Sequence, residues 1–326
     1  MSDKNYIKNV AVVGATGRQG THIVEELLKL GKHKVTAITR ADSTAASSFP
    51  EGVVSAPVDY NNQASLVDAL RGQDVLVITL AATAPPDTQK NLVDAAVEAG
   101  VRFVIPNEWG LDSERDPEFA KTNMVGARIL KFREYIETTG LPYIGVQGGF
   151  WYEFSLGGSE RRYGFDLFDR KYTMYDDGNA RLSTSTWEHV SRAVGALLAL
   201  KVNPDGPDDK SPTISSFYKK SVCVESFNLS QNEMFASLKR VTGTTDADWT
   251  ITQEDVKERY SRGMQLLQSG DMKGFETALY ASGFFPGNPA SMTTLANELL
   301  GLPKEDLDTH TLKAIEYAKA NPEFAH

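Results

Sequence analysis

Apolar and polar positions alternate along the first 105 residues in blocks that predict strands and helices in turn. Short apolar runs are typical of buried strands, and apolar residues at helical spacing lie between them. The predicted strands are 10–13, 34–39, 53–60, 74–80 and 102–105, and the predicted helices are 21–30, 62–71 and 88–99. This alternation predicts a doubly wound parallel α/β sheet, with ligands at the carboxyl ends of its strands. A helix at 125–138 and a strand at 142–147 complete a sixth unit.

From Gly148 onward the chain becomes richer in aromatic, charged and glycine residues. This change predicts a first domain of residues 1–150 and a smaller, mixed and mostly helical cap domain of residues 151–326. Segments 187–200 and 221–241 are expected to return to the first domain. A β-hairpin is predicted over 171–185, around an Asp-Asp-Gly-Asn turn. The other predicted elements are a strand at 221–227 and helices at 187–200, 232–241, 252–268, 272–282, 291–300 and 307–320.

Three glycines separate the first predicted strand from the first helix. They occur in the run Gly14-Ala15-Thr16-Gly17-Arg18-Gln19-Gly20. Glycine permits positive φ and close approach of a ligand, and a helix N-terminus offers free N–H groups and a positive dipole end to an anion. Strand, loop and helix together predict the phosphate-binding turn of a Rossmann-like dinucleotide site, and an ordinary tight turn is the alternative. The candidate ligand contacts are Gly14, Thr16, Gly17, Arg18, Gln19 and Gly20.

Arg40 ends the second predicted strand, 20 residues after Gly20. In dinucleotide-binding units this position meets the adenosine ribose, where a cation favours the 2′-phosphate of NADP and a carboxylate favours the 2′-hydroxyl of NAD. Asp42, two residues later, is the competing carboxylate. Arg40 therefore predicts NADPH/NADP as the cofactor.

Further cofactor contacts are expected where the other predicted strands end. Asp59 ends the third strand, where adenine would lie, and the small residues Ala81 and Thr83 follow the fourth. Pro106 and Asn107 follow the fifth. Because parallel strands end at one edge of a sheet, these residues should lie along one ligand-binding crevice.

Charge and composition exclude several classes of partner. The 34 basic and 43 acidic residues give a net charge of −9, so neither nucleic acid nor an anionic membrane is expected as a partner. The single cysteine, Cys223, excludes an intrachain disulfide and favours a reducing compartment. Residues 1–9 carry no apolar signal segment, and the longest apolar run, 75–82, is too short to span a membrane. We therefore expect a cytoplasmic protein. The five histidines show no metal-ligand spacing, so no metal site is predicted.

Several short segments resemble one known family. Beside the glycine motif, they are Pro106-Asn107-Glu108-Trp109-Gly110, Arg133-x-x-Ile136-Glu137, Leu141-Pro142-Tyr143, Gly149-Phe150-Trp151-Tyr152 and Ser183-Thr184-Ser185-Thr186-Trp187. With them the chain resembles the NmrA-like and isoflavone reductase-like branch of the atypical short-chain dehydrogenases, above all a fungal isoflavone reductase-like subgroup. The resemblance covers most of the chain and is strongest before residue 200. It implies NADPH-dependent reduction of small, often aromatic substrates.

The resemblance breaks at the residue expected to handle protons. Reductases of that family carry a lysine four residues before the helix arginine, as general acid/base or to orient the substrate, and this chain has Ile129 there. The superfamily's other solution, Tyr-x-x-x-Lys, does not occur in the sequence. Tyr152 and Lys121 are therefore the candidate catalytic residues, with water as the alternative. Tyr152 could equally be a packing aromatic at the domain junction.

The predicted substrate cleft is apolar and aromatic. The residues expected to line it are Ile129, Phe150, Trp151, Tyr152 and His189, although His189 could also be an ordinary helix-surface histidine. The predicted function is an NADPH-dependent reductase that transfers hydride to a C=C, C=O or benzylic centre of a small aromatic molecule. The alternative, favoured by the missing lysine, is a non-catalytic NADP(H)-binding sensor that binds a protein partner.

Overall fold

The structure is a computed structural model that describes residues 5–43, 49–81, 84–85 and 87–324. Its strands are β1 Asn9–Val13, β2 Lys34–Arg40, β3 Val53–Val58, β4 Val75–Ile78, β5 Phe103–Ile105, β6 Ile144–Gln147, β7 Phe150–Trp151, β8 Phe165–Asp166, β9 Lys171–Tyr175, β10 Arg181–Ser185, β11 Lys220–Cys223, β12 Phe227–Ser230 and β13 Thr250–Glu254. Its helices are α1 Arg18–Leu30, α2 Gln63–Leu70, α3 Thr88–Ala99, α4 Pro117–Thr122, α5 Gly126–Thr139, α6 Tyr152–Leu156, α7 Trp187–Leu198, α8 Gln231–Thr242, α9 Val256–Gln268, α10 Lys273–Gly283 and α11 Leu307–Ala320.

A five-stranded parallel sheet in the order β3-β2-β1-β4-β5 forms the centre of the first half of the chain. Every residue of β4 is buried, as expected of a strand covered on both faces. β6 follows β5 through a parallel bridge between Val104 and Tyr143, and β11 pairs in parallel with β6. The predicted doubly wound parallel sheet is confirmed.

Alternate residues of each central strand face opposite helix layers. Val10 and Val12 of β1 pack in one core with α1 and α7, while Ala11 and Val13 pack in another with α2, α3 and α5. α7 follows the second-half strands β7 to β10 in the chain, yet it lies against α1. α7 (residues 187–198) therefore packs on α1, the helix that follows the glycine loop.

A second hydrophobic core occupies the other half of the molecule and is rich in aromatic rings. Its largest fully buried members include Tyr152, Tyr163, Phe165, Tyr172, Tyr175 and Phe284. Two three-stranded sheets, β12-β10-β7 and β13-β9-β8, border this core. α9 packs on α10, and α11 packs on α6 and α8. None of the helices in the described part of the chain has the length and apolar character that crossing a membrane requires.

Three predictions for the second half were wrong. β9 and β10 do not form a hairpin, because β9 pairs with β8 and β13 while β10 pairs with β7 and β12. Residues 250–254 form β13 instead of starting a helix, and Asp255 then caps α9. Residues 291–300 form no helix, since Ala296 donates its N–H to Cys223 and Asn297 bonds to Glu225. In each case a partner distant in sequence overrides the local pattern.

Candidate functional site

Two glycines of the loop between β1 and α1 are required by close backbone contacts. Gly14 has a φ of +74°, and a Cβ on it would stand 2.0 Å from the carbonyl oxygen of Thr79 in the segment after β4. A Cβ on Gly20 would stand 2.1 Å from the carbonyl oxygen of Gly14. Neither position has room for a side chain, so both glycines serve the packing of β1, α1 and the end of β4.

Gly17 is less constrained than these two, because a Cβ on it would make one tight backbone contact instead of a severe overlap. Its φ is −77°, and a Cβ on it would meet only the Gly14 carbonyl oxygen, at 3.1 Å. Gly17 is the N-cap of α1 and provides no side-chain cap, and the first turn of α1 contains no acidic residue. An uncapped helix N-terminus beside an open glycine provides donors and space for a phosphate. The loop thus fits the pyrophosphate of a dinucleotide.

The side chains of the loop divide into exposed and buried ones. Thr16 and Arg18 are exposed, and the Arg18 guanidinium lies 5.0 Å from the centre of the Phe154 ring in α6. Gln19 is buried and donates from Nε2 to Ser191 Oγ of α7 at 2.9 Å. The Gln19 side chain therefore joins α1 to α7 through its amide nitrogen.

Arg40, which favours NADP, and Asp42, which favours NAD, lie close together at the end of β2. Arg40 Nε lies 3.7 Å from Asp42 Oδ1, and both side chains are at least three-quarters exposed. Asp59, one residue beyond β3, is also exposed, and its carboxylate accepts from the Asn61 N–H. Since β2 lies between β1 and β3, Arg40 and Asp59 stand at the same sheet edge as the glycine loop. A cation free to turn toward a 2′-phosphate is thus available at this edge.

Asn107 joins the segments that follow β4 and β5. Its amide Oδ1 accepts from the Leu80 N–H and its Nδ2 donates to the Leu80 carbonyl, each at 3.1 Å. Pro106 beside it is buried, whereas Ala81 is exposed next to this junction. The Asn107 side chain is therefore committed to holding the two segments together. Of the predicted contacts near here, Thr83 lies outside the described residues.

Glu108 and Arg133 form a buried ion pair behind the edge of the sheet. Arg133 Nη2 lies 2.6 Å from Glu108 Oε2, with both side chains at most 4% exposed, and Arg133 also contacts Glu114 at 2.7 Å. Burial raises the pKa of Glu108, and the Arg133 charge opposes that shift. A Cβ on Gly145 would stand 2.1 Å from Arg133 Nη2, so glycine in β6 makes room for the pair. These two residues of the family-like motifs therefore fix the loop after β5 to α5 and β6.

Ile129 lies on the same buried face of α5 as Arg133, one turn earlier in the helix. Its side chain is 8% exposed. The neighbouring cation Lys131 is exposed, on another side of the helix. An apolar residue at position 129 can contact a substrate face but can neither donate nor accept a proton.

The two candidate proton donors occupy opposite environments. Tyr152 has no exposed surface; its hydroxyl lies 2.7 Å from Thr311 Oγ1, and burial raises its pKa well above the usual value. This environment argues against a proton-donating role, because the hydroxyl is sealed inside the second core and already hydrogen-bonded. Lys121 is exposed in α4 and lies 2.6 Å from Glu118 Oε1.

The remaining predicted lining residues lie around the junction of the two cores. Phe150 packs into the second core, with its ring centre 4.8 Å from that of Tyr280. Trp151 is partly buried and packs at the edge of the first core. His189 is 1% exposed near the start of α7, with Nε2 3.2 Å from the Asn297 amide nitrogen, and burial lowers its pKa. His189 is therefore a buried neutral imidazole and not the helix-surface histidine that was the alternative.

A row of aromatic side chains runs from Trp151, at the edge of the first core, to Phe154 beside the start of α1, which the sequence pattern did not indicate. Trp151 lies 6.4 Å from Trp187, Trp187 lies 5.6 Å from Tyr317, and Tyr317 lies 6.1 Å from Phe154, measured between ring centres. Phe154 is the ring beneath Arg18. The sequence showed only that aromatic residues are abundant after residue 148. Their contacts in the structure join α6, α7 and α11.

Two cavities among the described residues lie in the second half of the chain. One, of about 450 Å³, is lined mainly by charged residues of β13, α9 and α10; the other, of about 800 Å³, lies beside the turn that follows β9. Neither is lined by a residue of the glycine loop. The loop's backbone chemistry, and not cavity size, therefore identifies the candidate site.

Comparisons with known proteins agree with this geometry. Residues 7–156 match the model of the NmrA-like family. Oxidoreductase aprR of Aspergillus flavus is 29% identical over 306 residues, which cover 92% of this chain and 96% of that protein. Isoflavone reductase homolog IRL of Zea mays is 37% identical over 158 residues, 45% of this chain and 50% of the maize protein. The solved structure of AtPrR2 with NADP+ and (+)pinoresinol has a TM-score of 0.75 at 20% identity, covering 95% of this chain and 99% of that one. Residues 7–156 therefore match the NmrA-like family, and the chain is similar in sequence to an oxidoreductase and to isoflavone reductase homologues.

Proposed function

We propose that this protein is an NADPH-dependent reductase that transfers hydride to a small aromatic substrate, at a C=C, C=O or benzylic centre. The observation that carries the proposal is the N-terminus of α1, where the N-cap Gly17 has no side chain and the first turn has no acidic residue. The AtPrR2 structure, which holds NADP+ and (+)pinoresinol, has the same fold and supports this choice of cofactor and substrate class. The single buried thiol, Cys223, suits a reducing compartment such as the cytoplasm.

The residues of this chain would hold the cofactor at two points. The N–H groups at the start of α1 donate to the pyrophosphate, where the positive end of the helix dipole adds to the attraction. Arg40 turns from Asp42 to pair with the 2′-phosphate, a charge-assisted contact that NADH cannot make. When bound, the nicotinamide supplies the hydride, and the protein orients it and excludes water.

The substrate side of the proposal rests on the apolar character of position 129. Ile129 replaces the family's lysine, so the wall it forms contacts an apolar or aromatic face and supplies no proton. Because Tyr152 is sealed inside the second core, the proton comes from Lys121 or from solvent. Lys121 is exposed on a short helix directly before α5, and its ion pair with Glu118 leaves the ammonium hydrated and mobile.

A non-catalytic NADP(H) sensor that binds a protein partner is the second candidate. The observation that favours it is again Ile129, together with the structural commitment of Glu108 and Arg133 to each other. A sensor needs the glycine loop and Arg40 but needs no proton donor. Both candidates therefore predict NADPH binding, and turnover separates them.

The test is a screen of NADPH oxidation with aromatic carbonyls, enones and quinones, made on the wild type, Lys121→Met and the matched control Lys131→Met. The reductase predicts turnover in the wild type. A loss of roughly 100-fold in Lys121→Met alone would identify Lys121 as the donor, since general acid catalysis contributes about 10²–10⁴-fold. Equal turnover in all three variants would assign the proton to solvent. Tight NADPH binding with no turnover on any compound would favour the sensor.

A further inference from the structure

Three side chains that can bind a metal ion meet at the junction of three helices. Glu153 comes from α6, Glu188 from α7 and His310 from α11, and one donor atom of each lies within 4.8 Å of the other two. Glu153 and His310 are buried, whereas the Glu188 side chain is 31% exposed and opens the cluster to solvent. The cluster is separate from the glycine loop and from Arg40.

One oxygen of Glu153 has no partner among the described residues. Its Oε1 lies 2.7 Å from His310 Nδ1, but its Oε2 is buried without a hydrogen bond. Glu153 as a whole is only 3% exposed. A cation would stabilise a buried carboxylate oxygen that has no other partner, so this oxygen is available as a ligand.

A further carboxylate faces the far side of the His310 ring. Glu305 Oε1 lies 3.6 Å from His310 Nε2, beyond hydrogen-bond distance and on the opposite side of the ring from Glu153. Glu305 is in turn held by the Thr186 hydroxyl at 3.0 Å and by Arg192. Its negative charge adds to the attraction of this cluster for a cation.

Lys313 provides the positive charge that Glu188 faces in this arrangement. Its ammonium lies 2.8 Å from Glu188 Oε1, and its side chain is 44% exposed. A lysine on a helix surface can move into solvent at small cost, which would release the carboxylate. Lys313 is therefore a competitor that an incoming cation must displace.

We propose that Glu153, Glu188 and His310 bind one divalent transition-metal ion, with Zn²⁺ as the ion of choice. Zn²⁺ accepts both imidazole nitrogen and carboxylate oxygen at about 2 Å, whereas Mg²⁺ and Ca²⁺ prefer oxygen ligands alone. The ion would fasten α11 to α6 and α7 at once. The spacing rules applied to the sequence predicted no metal site, because these ligands are 35 and 122 residues apart in the chain.

The test is a calorimetric titration of the metal-free full-length protein with ZnCl₂, repeated with MgCl₂ and CaCl₂. One Zn²⁺ per chain should bind, and Zn²⁺ should raise the melting temperature, because an ion that binds only the folded state stabilises it. Glu188→Gln and His310→Gln should weaken Zn²⁺ binding by about 10- to 100-fold or more. Lys313→Met should bind Zn²⁺ more tightly than the wild type.

The controls are His33→Gln and Glu118→Gln, which remove an imidazole and a carboxylate elsewhere in the molecule. Neither should change the Zn²⁺ affinity. Glu188 is about one-third exposed, so Glu188→Gln should keep the fold even if His310→Gln does not. The proposal is overturned if the wild type binds no Zn²⁺, or if Glu188→Gln binds it with wild-type affinity.

Discussion

The carbonyl oxygen of Gly14 faces Gly20 so closely that a Cβ on Gly20 would stand 2.1 Å from it. The first turn of α1 can therefore pack on β1 only with glycine at position 20. Gly17, between them, has a negative φ, and a Cβ on it would make one tight contact, 3.1 Å from the same carbonyl oxygen. Gly14 and Gly20 thus serve the fold, whereas Gly17 is exposed and can face a ligand.

Gly17→Val should abolish binding of NADPH and of NADH while the protein stays folded. The valine methyls would fill the path of the pyrophosphate, whereas the negative φ at this position accommodates a side chain without backbone strain. Fluorescence titration with each cofactor and a thermal melt followed by circular dichroism measure the two effects. The matched control is Gly20→Ala, which should lower the melting temperature strongly. Normal NADPH binding by Gly17→Val would show that this loop does not hold the phosphates.

Arg40→Ala should remove the preference for NADPH over NADH. A hydrogen bond to a charged group contributes about 1.5–3 kcal/mol, which corresponds to a preference of roughly 10- to 150-fold in dissociation constant. NADH affinity should hardly change, because NADH carries no 2′-phosphate. Arg71→Ala, which removes an exposed arginine paired with Asp68, is the control. Equal affinities for the two cofactors in the wild type at moderate salt would contradict the assignment.

Arg133→Met should destabilise the protein by about 3–5 kcal/mol, because it leaves the buried Glu108 carboxylate without its counter-charge. The double variant Glu108→Gln/Arg133→Met should recover much of this loss, since it removes both charges. Urea denaturation of the three variants measures the free energies of unfolding. Lys90→Met, which removes one partner of the exposed pair with Asp94, should have little effect. Equal instability of the single and double variants would mean that packing, and not charge, is responsible.

Ile129→Lys should raise the turnover of any substrate whose reduction is limited by proton transfer. The lysine would restore the family's residue on the α5 face that carries Ile129, and general acid catalysis contributes about 10²–10⁴-fold. Ile129→Met is the control, because methionine lengthens the side chain but cannot donate a proton. Steady-state rates with one substrate and saturating NADPH compare the two. Identical rates in both variants would place position 129 away from the reacting atoms.

The free energy of unfolding should depend on the protonation of His33. Burial lowers the pKa of this imidazole below its usual value of 6.5. The unfolded chain therefore takes up the proton first, and stability falls as the pH drops below about 6.5 toward the folded-state pKa. Chemical denaturation between pH 5 and 8 should show a shallower decline in His33→Gln than in the wild type. An unchanged slope would rule out this contribution.

Local sequence patterns predicted those elements whose partners are near in the chain. α3 has the predicted bounds, because its apolar spacing is followed by Gly100, which ends the helix at a φ of +77°. α1 begins three residues before the prediction, directly at Arg18, since the loop glycines already belong to the helix start. The hairpin failed because β9 pairs with β13, 75 residues or more further along the chain.

The candidate site was predictable to the same extent. The glycine loop is a continuous stretch between β1 and α1, and Arg40 ends the next strand, β2. The positions of both therefore followed from their spacing along the chain. The burial of Tyr152 depends on Thr311, and the environment of His310 depends on Glu153. No local pattern records contacts that join residues more than 150 positions apart.

The placement of α7 and β11 late in the chain governs how the protein can emerge from a ribosome. Residues 1–150 leave the exit tunnel before α7 exists to cover Ile23 and Leu27 of α1, and before β11 can pair with the open edge of β6. The nascent nucleotide-binding half therefore exposes an apolar helix flank and an unpaired strand until residue 223 has been synthesised. That interval is a natural time for a chaperone to hold the chain, and a fragment cut at residue 150 would be prone to aggregate.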